Sequence, residues 1–142
     1  MSNATTGSEA PPRRLGRSVL ALVAGFVVVV VLSLAVDEVL HILKVYPPWG
    51  EPMNDPGLNL LAMAYRAVIT VLGGYVTARL APYAPMRHAA IGAGIGLALG
   101  TLGVIGAMSV GGLGPLWYPI GVAITGPLCN LLGGAIYVTS RA

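Results

Sequence analysis

The sequence predicts an all-α polytopic membrane protein with four antiparallel transmembrane helices. Of its 142 residues, 56% are hydrophobic and only 9% are charged. Soluble domains carry about 25% charged residues, so this chain has too few to cover a surface that faces water. It also contains four apolar runs, each close to the ~20 helical residues that cross a hydrocarbon core. The connections between the runs are short, which leaves room for little besides the four spans.

The first apolar run contains no charged residue from Ser18 to Val36. Its valines would suit a strand, but a charge-free run of this length indicates a helix in lipid. We predict one transmembrane domain over residues 15–142, with spans at about 15–45, 58–80, 89–110 and 116–138. Residues 1–14 are small, polar and contain proline, and they are predicted to form a disordered cytoplasmic tail.

The first span is predicted to stop at the Pro47-Pro48 pair, because proline cannot continue a helix. Residues 46–57 carry four prolines and two glycines, which indicates a structured, outward-facing loop. Tyr46 and Trp49 in this loop are residue types that suit a membrane interface.

Basic residues set the predicted orientation. With the N-terminus inside, the outer segments hold only Lys44, and the inner segments hold six arginines: Arg13, Arg14, Arg17, Arg79, Arg87 and Arg141. This positive-inside bias predicts that both termini are cytoplasmic. The composition indicates a bacterial-type inner (plasma) membrane.

A secretory signal is the alternative reading of the first span. Arg13-Arg14 followed by an apolar stretch and small residues near Ser33 resembles a cleavable signal peptide. The apolar run is longer than the 7–15 residues of a signal core, and further spans follow it. We therefore favour retention of the first helix.

The sequence offers no recognisable enzyme site. No nucleophile–base pair or oxyanion arrangement can be identified, and no cofactor motif is present. Nucleic-acid binding is not expected, because the basic residues lie between the apolar runs instead of forming a stripe. The single cysteine, Cys129, lies inside an apolar run and predicts no disulfide.

Four ionisable residues are predicted to form a polar cluster in the outer leaflet: Asp37, Glu38, His41 and Arg66. Counting along the first two spans places Arg66 about 9 Å below the outer surface, with its guanidinium pointing toward the level of the two acids. Three interpretations compete. The favoured one is a structural salt bridge between helices one and two, made by either acid. The others are a transport or proton-relay site, and a metal site from Glu38 and His41 that would need further ligands.

Glycines mark a candidate packing face on span three. In span three, Gly92, Gly96 and Gly100 form a small-xxx-small ladder that Gly103 continues, a pattern typical of close helix approach. Packing within the monomer is favoured over a homo-oligomer interface or a pore-lining groove. A faint internal repeat relates residues 72–79 of span two to residues 132–141 of span four, and chance is an equally good explanation of it.

Several segments resemble a group of uncharacterised small bacterial four-helix membrane proteins. The segments are Asp37–His41, Ala64–Arg66, Leu72–Tyr75, Arg79–Pro82, Pro85–Ala89 and Trp117–Pro119. This resemblance covers most of the span region and implies no activity. In size and helix count the chain is also similar to small multidrug resistance transporters. Those carry an essential glutamate in the middle of span one, whereas here span one is apolar until Asp37.

We therefore expect an integral membrane protein with a non-enzymatic, structural or accessory role. The alternative is a small secondary transporter or channel that uses the cluster of Asp37, Glu38, His41 and Arg66. The expected partner is the lipid bilayer, a homo-oligomer through the glycine-rich third helix is the alternative to packing within the monomer, and no metal or cofactor is expected.

Overall fold

The computed structural model describes residues 14–142, and the predicted disordered tail lies outside them except for Arg14. The described chain folds into four α-helices: α1 (Leu15–Ile42), α2 (Pro56–Leu80), α3 (Pro85–Val110) and α4 (Trp117–Ser140). Each helix has 24 to 28 residues and is apolar enough to cross a membrane. The predicted all-helical fold with four candidate spans is confirmed.

Helix α1 ends at Ile42, three residues before the predicted end at position 45. The amide of Val45 donates to Leu40 O and that of Lys44 donates to His41 O. These two bonds form a Schellman motif, which requires a left-handed residue just past the helix end. Lys44 takes that conformation with φ 58°. The Schellman motif therefore ends the helix before the chain reaches the prolines.

Prolines instead begin two of the other helices. Pro56 and Pro85 each occupy the first turn, where a missing amide hydrogen costs nothing because those amides have no partner within the helix. This is why α2 and α3 start two and four residues earlier than predicted. The Asp55 side chain caps α2 by accepting the Leu58 amide at 3.1 Å, which satisfies one of the free amides.

Helix α2 contacts all three of the other helices, most extensively α4 and α1, and α3 packs mainly on α4. The contacts are made by small residues. A Cβ atom on Gly25 of α1 would lie 2.8 Å from Gly73 O, and one on Gly133 of α4 would lie 2.7 Å from the Tyr75 amide nitrogen. The helix backbones therefore approach closely, as small residues permit in membrane helices.

Large apolar side chains point away from these contacts on all four helices. The buried hydrophobic residues are mostly alanines, such as Ala21, Ala62 and Ala89. A soluble protein would bury its large apolar residues, so this inverted arrangement fits insertion into a membrane, where lipid covers the outer face.

The predicted glycine ladder of α3 divides into two groups. A Cβ atom on Gly100 would lie 3.0 Å from Ala123 Cα, and one on Gly92 would lie 3.1 Å from Asn130 Nδ2. Gly96 and Gly103 have no such neighbour within 4 Å among the described residues. Close packing against α4 within the chain thus involves two of the four glycines, because the other two face away from it.

Candidate functional site

The carboxylate of Asp37 is the centre of the candidate site. It lies near the C-terminal end of α1 and is only 6% exposed. Arg66 Nη2 donates to Asp37 Oδ2 at 2.6 Å, and the Tyr65 hydroxyl donates to Oδ1. Both carboxylate oxygens therefore have a donor from α2. Burial of a charge is costly unless it is paired and hydrogen-bonded, and this arrangement meets both conditions.

Tyr46 extends this network into the loop between α1 and α2. Its hydroxyl donates to the Tyr65 hydroxyl oxygen at 3.1 Å, and the side chain is buried. Burial raises the pKa of Tyr46 above its ordinary value, so the hydroxyl keeps the proton that it donates. A chain of three side chains thus connects the loop, α2 and α1.

Arg66 is less enclosed than its partner, with a side chain that is 32% exposed. Its guanidinium carbon lies 5.7 Å from the centre of the Tyr65 ring, within the range of a cation–π contact. A cavity of about 200 Å³ adjoins the ion pair and is also lined by Tyr118 of α4 and by the loop. Arg66 therefore faces a space large enough for several water molecules.

The side chains of Glu38 and His41 contact different groups from those that Asp37 contacts. Trp49 Nε1 donates to Glu38 Oε2 at 3.3 Å, so Glu38 contacts the loop and does not pair with Arg66. His41 Nδ1 lies 2.7 Å from the carbonyl oxygen of Asp37, which makes that nitrogen the donor. The His41 ring stacks on Trp49 at 3.9 Å between centroids. The four predicted residues are thus neighbours, but they belong to two subsites.

The interpretation of Glu38 and His41 as metal ligands needs a third donor. Across residues 14–142, no group of three or more His, Cys, Asp or Glu side chains comes close enough together to hold a metal ion. The two side chains are instead engaged with Trp49 and the α1 backbone.

Sequence reasoning did not include Tyr65 in the cluster, and it assigned Tyr46 and Trp49 only to the membrane interface. Tyr65 directly precedes Arg66 in sequence, but on a helix two adjacent residues point about 100° apart. Only the position of α1 shows that both reach the same carboxylate. The aromatic pair in the loop enters the cluster because the loop folds back over the end of α1.

Two further polar contacts join the helices at the opposite end from the Asp37 cluster. His88 of α3 is buried, and its Nε2 lies 2.9 Å from Ser18 Oγ of α1. Asn130 Nδ2 of α4 donates to the Ala89 carbonyl oxygen at 2.7 Å. Hydrogen bonds of this kind help to hold helices together in lipid.

Comparison with protein-family models, curated proteins and solved structures finds no match for this chain. The geometry of the Asp37 cluster and of the adjoining loop is therefore the basis for inferring what the chain does.

Proposed function

We propose that this chain is a non-enzymatic integral membrane protein with a structural or accessory role. The observation that carries the proposal is that each oxygen of the Asp37 carboxylate accepts a hydrogen bond from α2. An acid that binds and releases a proton or a cation during transport needs an oxygen that its cargo can reach. Here Tyr65 and Arg66 occupy both oxygens, and the carboxylate joins two helices.

The proposed topology is four antiparallel spans in a bacterial-type inner membrane, with both termini in the cytoplasm. Two contacts support antiparallel packing of the first pair. Asp37 near the end of α1 meets Arg66 in the first half of α2, while Gly25 in the first half of α1 meets Gly73, far along α2. The basic residues at the proposed inner ends support the orientation.

Labelling of introduced cysteines tests this topology. In a Cys129→Ser background, Glu51→Cys should react with a membrane-impermeant maleimide added to intact spheroplasts, because the loop faces outward. Arg141→Cys should react only after the membrane is permeabilised. Labelling of both positions in intact spheroplasts, or of Arg141→Cys alone, would show that the proposed orientation is wrong.

A homo-oligomer through α3 is part of the proposal. The buried residues of α3 are His88, Ala89 and Ala93, all in its first nine residues. In the remaining two thirds, Gly96 and Gly103 have no neighbour within 4 Å of an added Cβ atom among the described residues. A second copy could approach this face closely, since small residues favour helix association in lipid.

A small secondary transporter or channel is the second candidate, and one observation favours it. The cavity of about 200 Å³ reaches both Asp37 and Arg66 from the loop side. Ionisable groups in membrane-spanning helices often mark an ion or proton path.

Tyr65→Phe distinguishes the two candidates because it removes one hydroxyl and leaves both charges. If the cluster has a structural role, Tyr65→Phe should lower the free energy of unfolding in detergent by about 1.5 kcal/mol, at the lower end of the usual range for a hydrogen bond to a charged group. Liposomes that contain the wild-type protein should then keep an imposed pH gradient as long as empty liposomes do.

The matched control is Tyr75→Phe on the same helix, since the Tyr75 hydroxyl makes no hydrogen bond to any side chain or backbone group within residues 14–142. Its unfolding free energy should stay within about 0.5 kcal/mol of wild type. If the wild-type protein instead collapses the pH gradient and Tyr65→Phe stops this without loss of stability, the transport candidate replaces the structural one.

A further inference from the structure

A second and larger cavity opens where the loop at residues 43–55 passes over the ends of α1 and α2. Its volume is about 790 Å³, within the range of about 300–1,000 Å³ that is usual for small-molecule sites. The residues that matter for its chemistry are Glu38, Lys44, Pro48, Trp49, Met53 and Asp55. Asp37 and Arg66 line the smaller cavity instead.

Trp49 lines this cavity and also the smaller one beside Asp37. One face of its indole is covered by His41, with the two rings only 7° from parallel. The indole edge is held by the hydrogen bond from Nε1 to Glu38. Because the side chain is nevertheless 62% exposed, the uncovered surface is mainly the opposite face. An oriented indole face attracts cations, and tryptophan does so best among the aromatic residues.

The charged residues that line this cavity also favour a cationic ligand. Glu38 and Asp55 face one lysine, Lys44, so the lining carries a net charge of about −1 with histidine counted as neutral. The one ion pair within residues 14–142 joins Asp37 to Arg66, which leaves the carboxylates of Glu38 and Asp55 without a cationic partner there. Each gives one oxygen to a hydrogen bond and has a second oxygen for a ligand.

We infer that this cavity binds a small organic cation that carries an apolar group, such as a quaternary ammonium compound. The cationic centre lies on the open face of Trp49 beside the Glu38 carboxylate, and the apolar group packs on Pro48 and Met53. This inference goes beyond the proposed function, because binding here requires neither transport nor the Asp37–Arg66 pair.

Binding of benzyltrimethylammonium to the full chain in a neutral detergent tests the inference. In a Trp117→Phe variant, Trp49 is the only tryptophan, so a saturable change in its fluorescence locates the ligand. Calorimetry on the same sample gives the affinity. Glu38→Gln should weaken binding by about two- to fivefold, the upper part of the range for an exposed ion pair. Trp49→Leu should remove detectable binding by calorimetry.

Glu51→Gln is the matched control, since it neutralises a carboxylate of the same loop that does not line this cavity. Its affinity should stay within about twofold of wild type, because exposed charges that do not contact a ligand contribute little to its binding. A non-saturable response, equal binding of benzenesulfonate, or unchanged affinity in Glu38→Gln would each overturn the inference. Glu38 is exposed, and thermal unfolding of Glu38→Gln should match wild type, so a weaker affinity reports on the ligand.

The same ammonium chemistry is present on ethanolamine lipid headgroups. Addition of a phosphatidylethanolamine to the micelles separates the two sources. Competition with benzyltrimethylammonium assigns the cation site to a headgroup, and absence of competition assigns it to a soluble cation. The test is independent of the structural role, because the Tyr65→Phe result concerns residues that do not line this cavity.

Discussion

Replacement of Gly133 by alanine is expected to lower the free energy of unfolding by about 2–3 kcal/mol, the upper part of the usual range for overpacking. The new Cβ atom would overlap the Val71 carbonyl oxygen and lie 2.7 Å from the Tyr75 amide nitrogen. Both are backbone atoms of α2 and cannot rotate away as a side chain could. Helices α2 and α4 would therefore have to separate over their tightest contact. Thermal unfolding in detergent measures this loss.

Gly94→Ala on α3 is the control for this experiment, since Gly94 is exposed and lies away from the contact between α2 and α4. A Cβ atom there meets nothing within 4 Å among the described residues, so the change should be neutral or slightly stabilising. Alanine is preferred over glycine in a helix by up to ~1 kcal/mol. If Gly133→Ala and Gly94→Ala behave alike, the backbones of α2 and α4 are not in close contact at Gly133.

The second large effect is expected at the ion pair. Arg66→Gln leaves the buried Asp37 carboxylate with Tyr65 alone, and Asp37→Asn leaves the Arg66 guanidinium without its counter-charge. Removal of one partner from a fully buried pair costs about 3–5 kcal/mol. Since the Arg66 side chain is one-third exposed, solvent offsets part of this, and we expect about 2 kcal/mol for each single change.

The double variant tests whether the two side chains stabilise the fold through each other. Asp37→Asn combined with Arg66→Gln should recover at least about 1 kcal/mol relative to the sum of the single losses, as is usual for contacting residues. The pair Glu38→Gln and Arg66→Gln should show no coupling, since Glu38 bonds to Trp49. Unchanged stability in every variant would mean that these charges serve a process other than folding, and flux measurements in liposomes would then decide between transport and channel activity.

The sequence could predict that Asp37 and Arg66 lie at a similar depth in the membrane, because the number of residues along each helix determines how far a side chain lies from the membrane surface. The choice between Asp37 and Glu38 could not. These neighbours point about 100° apart on the helix, and the rotation of α1 against α2 decides which of them faces Arg66. That rotation is set by the close approach of Gly25 to Gly73 and by the loop, which brings Trp49 to Glu38.

The glycines of α3 predicted the packing of the helices only in part. The ladder in α3 contains four regularly spaced glycines, yet two of them face away from the rest of the chain. The tightest contacts occur instead at the faint repeat, where Gly74 of α2 meets Asn130 and Gly133 of α4 meets Val71. The spacing of glycines within one helix shows that one face of this helix carries small residues. Only a second helix with a matching face shows which small face is used.

The close backbone contacts at Gly25, Gly74 and Gly133 determine which substitutions this protein can accept in evolution or in engineering. In a soluble protein, large buried side chains are the positions that resist change. Here the large side chains face outward, where one aliphatic residue can replace another. The smallest residues are the constrained ones, because a single added methyl group separates two helices. A screen of random variants should therefore find its intolerant positions at glycine and alanine. The large outward-facing side chains are the positions that protein engineering can change most freely.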